Sequence, residues 1–324
     1  MLNILDMNSN AMSRRAEEPD AQLVELQEER DTGSSPSLYS VSPQTARRQF
    51  ANVSQLSEFI EDDPAETADF DIPGPDGDIS LRAYIPEADE PRPIVIFYHG
   101  GGFVIGDLNT HESLCMALCD RGDFVVLSVD YRLAPEHQFP APHADAYAAL
   151  KWAATHGEEL GGDTENISVA GTSAGGNLAA SVSILARDNG DPPIKNQVLI
   201  YPWLDPVGRF SLPSYEENSE ESADDEQGSW FYNHLVSNNF DKYNQLLAPL
   251  IADDLSNVPP AIIVTAGFDA LRDEGFEYAS QLKEAGVPTT LHNYPSLDHA
   301  FCLYLGLVDK ADAAVNQIVE DLSR

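Results

Sequence analysis

The sequence predicts an α/β fold, a mainly parallel central sheet with helices on both faces, and three observations point to it. Apolar, β-branched-rich runs recur from Pro93 onward. Helical stretches of about ten residues or more separate most of them, and glycine-rich turns directly follow two of the runs. The runs are Ile94–Tyr98, Phe124–Val129, Ile167–Ala170, Val198–Ile200 and Ala261–Thr265, with Thr289–Tyr294 as the last strand. Between and after them lie helical stretches at Glu112–Asp120, Ala144–Thr155, Asn177–Asp188, Gly275–Ala285 and Asp309–Leu322. Before them, Asp69–Tyr84 reads as strand, turn and strand, broken at Pro73-Gly74-Pro75-Asp76-Gly77. Residues 1 to about 65 are polar and acidic. Their amphipathic stretches near Ala21–Leu26 and Ala46–Ile60 read as helices without a core of their own. One segment interrupts the alternation: Ser211–Asp225 is loop-like and acidic, and Ser229–Phe240 follows as a helix carrying Trp230, Phe231 and Tyr232. An insertion at that point suits a lid, an acidic surface loop being the plainer reading.

The chain has 324 residues, 42% of them hydrophobic, enough for a sizeable core in one large open sheet. No run of 18 or more apolar residues occurs, so no membrane span is expected. The first residues lack the basic end and apolar stretch of a secretory signal. Cys115, Cys119 and Cys302 are an odd number, and the first two sit four apart on a helix face as small buried side chains. No second pair of ligands completes a metal site near them. These features are those of a protein from a reducing cytoplasm.

Charge is the unusual bulk feature. Lys+Arg 18 against Asp+Glu 54 gives a formal net charge of −36, spread along the whole chain. Nucleic acid is excluded as a partner, because phosphate contacts need clustered cations. Self-repulsion on this scale weakens a compact state in dilute buffer. Molar salt shortens the screening length from roughly 8 Å to roughly 3 Å and removes much of the penalty. Adaptation to a salt-rich cytosol is therefore expected, against the plainer reading of an ordinary acidic protein.

Gly171-Thr172-Ser173-Ala174-Gly175 fits Gly-x-Ser-x-Gly. A serine hydroxyl is a weak nucleophile, so it must be exposed, held against a base and faced by donors for an oxyanion. A sharp turn between strand and helix exposes it, and a strand precedes this motif while a helix follows. The pentapeptide alone also describes an ordinary glycine turn. His99-Gly100-Gly101-Gly102-Phe103 directly follows the strand Ile94–Tyr98, and its uncovered amides can converge on developing negative charge. A phosphate loop would want a lysine, and none is near. A dinucleotide loop would open a helix, which Phe103–Asp107 does poorly.

Eight histidines compete for the base: His99, His111, His137, His143, His156, His234, His292 and His299. In the order Ser, Asp, His, only His292 and His299 lie late enough. His292 falls inside a strand, where it packs or faces solvent. His299 follows that strand in a loop at the sheet edge. For the acid, Asp269 follows Ala261–Thr265, while Asp273 and Glu274 read as first-turn acids favoured by a helix dipole.

With these motifs on the page, the chain resembles the bacterial and archaeal branch of the hormone-sensitive-lipase family of α/β-hydrolases, the family IV esterases. The likeness rests on His99–Phe103, on Tyr131-Arg132-Leu133-Ala134-Pro135-Glu136-His137 with Phe139-Pro140-Ala141, and on Gly171–Gly176. It continues in Asp269-Ala270-Leu271-Arg272-Asp273-Glu274-Gly275 and His299-Ala300-Phe301. The resemblance implies an α/β-hydrolase that cleaves short- to medium-chain carboxylic esters through Ser173, His299 and Asp269. It assigns the amides of Gly101, Gly102 and Ala174 to an oxyanion hole. It implies a helical cap from residues 1–65 and 205–245, over a catalytic domain of residues 66–204 and 246–324. It implies no cofactor or metal, a small-molecule ester as partner, and a homodimer by analogy. Two positions depart from the usual pattern: Thr172 stands where much of the family has aspartate, as in its Gly-Thr-Ser-Ala-Gly subgroup, and Ala300 where glycine is usual. A longer-chain lipase is the alternative within the same chemistry. A non-catalytic small-ligand receptor on the same fold is the alternative outside it, and such receptors lack the histidine that His299 supplies here.

Overall fold

The computed structural model describes residues 14–30, 37–52, 62–64, 66–208, 210–218 and 224–324. Eight strands form one sheet in the order β1-β2-β4-β3-β5-β6-β7-β8. They are β1 (Glu66–Gly74), β2 (Gly77–Ile85), β3 (Arg92–Tyr98), β4 (Val125–Asp130), β5 (Gly162–Thr172), β6 (Gln197–Ile200), β7 (Ala261–Phe268) and β8 (Thr289–Asp298). The β1–β2 hairpin joins β4 antiparallel, and every pairing from β4 to β8 is parallel. The expected α/β architecture with helices on both faces is thus the observed one.

The apolar runs explain why both faces are covered. All eight residues of β7 and all four of β6 are buried. On β3 and β4, alternate side chains feed two separate cores. Ile96 and Leu127 face Leu150 of α4 (Ala141–His156), Leu178 of α5 (Ala174–Asn189) and Tyr278 of α8 (Arg272–Glu284). Phe97 and Val126 face Leu118 of α3 (Glu112–Gly122) and Val315 and Ile318 of α9 (Asp309–Leu322). Burying each large side chain contributes about 1.5–3 kcal/mol relative to exposure. Cys115, Cys119 and Cys302 are buried free thiols in the second core.

The remaining helices gather over the carboxyl ends of the parallel strands. They are α1 (Ala21–Arg30), α2 (Pro43–Phe50), α6 (Pro213–Glu217) and α7 (Asp224–Leu235). Ahead of α1 the chain docks on β8, with Ala16 N–H donating to Pro295 O and Asp20 N–H to Ser296 O, both at 2.8 Å. Arg47 ties α2 to the body through Val104 O, Ala134 O and the Glu136 carboxylate.

Three details differ from the sequence reading. The stretch expected as a helix over Ala46–Ile60 begins earlier, at Pro43, because Ser42 Oγ caps the Thr45 amide and Pro43 suits the first turn. Its later part, residues 53–60, lies outside the described residues. The helix expected over Ser229–Phe240 begins by Asp224 and ends at Leu235, where Gln138 Nε2 and Phe139 N–H take up the carbonyls of His234 and Leu235. The stretch expected as loop holds α6, which starts on Pro213 and is pinned by Ser214 to Asp273 and Ala270. Among the described residues no helix is long and apolar enough to cross a membrane.

Packing between β3 and α5 is tight enough to exclude a methyl group at Gly175, whose added Cβ would overlap the Tyr98 carbonyl. Gly175→Ala should therefore destabilise the fold by about 1–3 kcal/mol. Denaturant titration followed by circular dichroism checks this, and an unchanged midpoint would mean the strand and helix can part at no cost.

Candidate active site

Four strand ends build the site. β3 and β5 are hydrogen-bonded neighbours with Tyr98 opposite Gly171, so the loops that follow them emerge side by side. One carries His99–Gly102 and the other Ser173. β7 and β8 are also neighbours, and an irregularity between Ala266 and Phe268 brings Phe268 opposite Asp298. That shift sets Asp269 and His299, the next residue on each strand, beside one another. The crevice outside the carboxyl ends of a parallel sheet is where such folds bind ligands.

Ser173 adopts φ +52° and ψ −116°, a conformation L-residues avoid and one costing on the order of 1–3 kcal/mol. Neighbouring backbone over-determines it: Ser173 N–H donates to Ile200 O at 2.9 Å, and Trp203 N–H donates to Ser173 O at 3.0 Å. The sharp turn lifts the hydroxyl out of the sheet edge. His299 Nε2 lies 3.1 Å from Ser173 Oγ, and His299 Nδ1 lies 3.0 Å from Asp269 Oδ2. Asp269 is 2% exposed, and its second oxygen accepts the Leu271 amide at 2.8 Å. All three sequence-predicted residues therefore meet in one relay. His292 takes no part, since its Nε2 pairs with Asp321 at 2.6 Å on the far side of β8.

Burial disfavours a charged His299 imidazole, but attraction to Asp269, the hydrogen bond between them and the nearby Asp298 outweigh it and raise its pKa above 6.5. Burial pushes the Asp298 carboxyl up to about 7, with Asp269 repelling its charge and His299 favouring it. Gln27 of α1 donates to Asp298 at 2.7 Å, joining the helices above to the His299 loop.

Gly101 and Gly102 stand at φ +118° and +58°, where a side chain would be strained. The Gly101 carbonyl accepts from Val104 and Ile105, closing a tight loop. Among the described residues the amides of Gly101 and Gly102 have no acceptor, and the Ala174 amide opens α5, where helix N–H groups are free. A Cβ on Gly102 would overlap the ring of Phe231, so α7 rests directly on this loop.

A cavity of about 1390 Å³ opens over Ser173, lined by Leu23, Tyr39, Ile105, Trp203, Phe231 and Phe268 among others. Phe231 meets Tyr39 and Trp203 edge-on, at 5.7 and 6.1 Å between centroids. The sequence reading placed Phe231 on a lid but offered no sign of Tyr39 or Trp203, because aromatic contacts between distant segments leave no periodic trace. It also took Asp273 and Glu274 for simple first-turn acids. They do occupy the first turn of α8, yet both are buried. Asp273 pairs with Arg272 and Arg14, while Glu274 accepts from Leu204 N–H, from Asp205 N–H at 2.7 Å and from the Tyr215 hydroxyl at 2.8 Å. Burial raises the Glu274 pKa to about 8.

A hydroxyl, an imidazole and a buried carboxylate in relay at the edge of an open α/β sheet define the class of serine hydrolases. A profile for the alpha/beta hydrolase fold matches residues 95–303. Esterase LipI of Mycobacterium tuberculosis is 42% identical over 254 residues, 77% of this chain and 79% of its own. Ethyl acetate hydrolase of Pseudomonas putida is 32% identical over 311 residues, 94% of this chain and 96% of its own. The structure of a hyperthermophilic esterase from the archaeon Pyrobaculum calidifontis superposes with a TM-score of 0.90 at 38% identity, covering 94% of this chain and 98% of that one. The chain belongs to the hormone-sensitive-lipase-like branch of the α/β-hydrolase family, the branch of the carboxylesterases.

Because Asp298 helps hold the proton on His299, Asp298→Asn should move the acid limb of kcat/KM to lower pH. With His299 taken as the general base, its ring must be neutral to act, and removing a negative neighbour destabilises the imidazolium, so activity in mildly acidic buffer rises relative to the plateau. A pH–rate profile reads this directly; a limb that stays in place, or moves up, would contradict it.

Proposed function

We propose that this protein hydrolyses carboxylic esters of short to medium acyl chain through an acyl-enzyme on Ser173. The observation that carries the reading is the relay from Ser173 Oγ to His299 Nε2 and from Nδ1 to Asp269. In the first step Ser173 Oγ attacks the ester carbonyl while His299 takes its proton. Asp269 keeps the proton on Nδ1 and stabilises the imidazolium that forms. The amides of Gly101, Gly102 and Ala174 receive the oxyanion, His299 returns its proton to the leaving alcohol, and water repeats the sequence on the acyl-enzyme. The helices over residues 1–65 and 205–245 act as a cap, and their aromatic lining above Ser173 favours acyl groups that fit a closed pocket over long chains. The Pseudomonas putida relative, named for ethyl acetate, is in keeping with a small substrate.

Ser173→Ala should lower kcat on a p-nitrophenyl ester by several orders of magnitude, roughly 10⁴–10⁶-fold, and abolish labelling by a fluorophosphonate probe. Near-native turnover in that variant would overturn the assignment, and a folded wild-type protein that never labels would favour a ligand receptor instead.

The same reading includes salt adaptation, which the excess of 54 acidic over 18 basic side chains supports. Activity and helical signal should rise together from dilute buffer to multimolar KCl; full stability without salt would remove this part. A cytoplasmic location rests on composition and a homodimer on family likeness, and cell fractionation and sedimentation velocity test them.

A further inference from the structure

Three consecutive glycines make a loop whose peptide planes turn easily, yet an oxyanion hole needs two amides fixed toward the reacting carbonyl. The first peptide of the loop is held by a side chain outside the relay. Gly100 N–H donates to Nε2 of His111 at 3.3 Å. His111 is 3% exposed, precedes α3 directly and borders the cavity above Ser173. Gly100 itself is pinned between neighbours: a Cβ there would lie 3.0 Å from Thr172 Oγ1 and 3.4 Å from His111 Nε2.

The hydrogen bonds around His111 define its tautomer. Thr110 Oγ1 lies 2.8 Å from the Asp107 carbonyl, which can only accept, so the single hydroxyl proton points there. The same oxygen accepts from the Asp107 amide at 3.1 Å. Toward His111 Nδ1, at 3.0 Å, it must therefore accept again, and Nδ1 carries the ring proton. The opposite tautomer would also set an Nε2–H against the Gly100 N–H. Asp107 completes the frame, because its Oδ1 accepts the amides of Asn109 and Thr110 at 2.9 and 3.0 Å.

We propose that His111 is a positioning residue for ester hydrolysis: as the neutral Nδ1–H tautomer, set by Thr110 and Asp107, it fixes the His99–Gly100 peptide at the start of the loop, so that the Gly101 and Gly102 amides that follow face the oxyanion. This rests on the Ser173 reading above. The surroundings keep the ring neutral. It packs among Phe50, Phe97 and His99, with centroids 6.4, 5.9 and 5.9 Å away, and burial followed by repulsion from His99 holds its pKa well below 6.5. The acceptor is thus in place throughout the range in which His299 serves as a base.

Glutamine places a carbonyl oxygen near the position of Nε2, whereas asparagine reaches only about as far as Nδ1. His111→Gln should therefore hold kcat within about 3-fold of wild type, and His111→Asn should lower it about 10–100-fold with KM within about 2-fold. Thr110→Val keeps the ring but removes its tautomer lock, and should lower kcat about 3–10-fold while Thr110→Ser restores it. Nitrogen-15 histidine NMR of the wild-type protein gives a readout that needs no variant: the His111 proton is expected on Nδ1, with Nε2 unprotonated. A proton on Nε2, or an unchanged kcat in folded His111→Asn, overturns the inference. Should wild type still label at Ser173 in that case, only the positioning role falls; retained turnover in Ser173→Ala would remove the underlying site reading instead.

Discussion

The strained turn at Ser173 is the constraint on which the rest of the site depends. A residue at φ +52° persists only when its surroundings hold it, and here two neighbouring strands and the segment after the second do so. β5 delivers the chain to the turn, β6 accepts its amide at Ile200, and the segment after β6 donates back from Trp203. The helix that follows can start at once only because Gly171 and Gly175 let backbone meet backbone. The hydroxyl's place is thus set by the sheet, not by the loops, and loops on adjacent strands can be aimed at it. The β7–β8 irregularity then needs to bring just two residues into line.

Charge works against this compactness. Many of the described arginines are engaged: Arg47 with Glu136, Arg82 with Asp69 and Glu112, Arg121 with Asp62 and Asp312, Arg132 with Asp76 and Asp145. The exposed pairs among them contribute about 0–1 kcal/mol each, whereas Asp62 and Asp145 are buried against their arginines. Such pairs are few against a formal excess of 36 negative charges. Cations are spent where geometry matters instead. Arg272 is buried beside the buried Asp273, directly after the loop of Asp269, and reaches the exposed Glu217, joining α8 to the inserted α6. Salt screening would relieve the repulsion of that excess, which is the physical basis of the salt adaptation proposed above.

The centre of the sheet was readable from the sequence because its strands are buried on both faces and appear as unbroken apolar runs, as at Ile94–Tyr98 and Ala261–Thr265. The meeting of Ser173, Asp269 and His299 at the sheet edge was readable because each follows a strand in a local pattern, Ser173 and Asp269 after buried apolar runs and His299 after the mixed edge strand β8. What escaped was non-local. The end of α7 is decided by Gln138 and Phe139, about 100 residues earlier, which no helical periodicity encodes. Glu274 looked like a dipole-favoured surface acid, yet it accepts hydrogen bonds from the chain after β6 and from Tyr215. His111 stood among eight histidines with nothing to single it out, although Asp107 followed by Thr110 is the local signal of the turn that holds it.

These non-local contacts make the cap more than a cover. Phe231 packs on the Cα of Gly102 while Tyr39 and Trp203 close around it, so the helix that limits the acyl pocket also bears on an amide assigned to the oxyanion. His111 holds the same loop from the opposite end, at Gly100. A loop of glycines has little stiffness of its own, and these two contacts add to the amides of Val104 and Ile105 that close it on the Gly101 carbonyl. On the proposed mechanism, substrate fit and charge stabilisation then share an element, because an acyl group that displaces Phe231 would also disturb the loop proposed to receive the oxyanion. Discrimination between acyl chains should then fall on kcat as much as on KM, because Phe231 borders the cavity and also touches the loop proposed to hold the oxyanion.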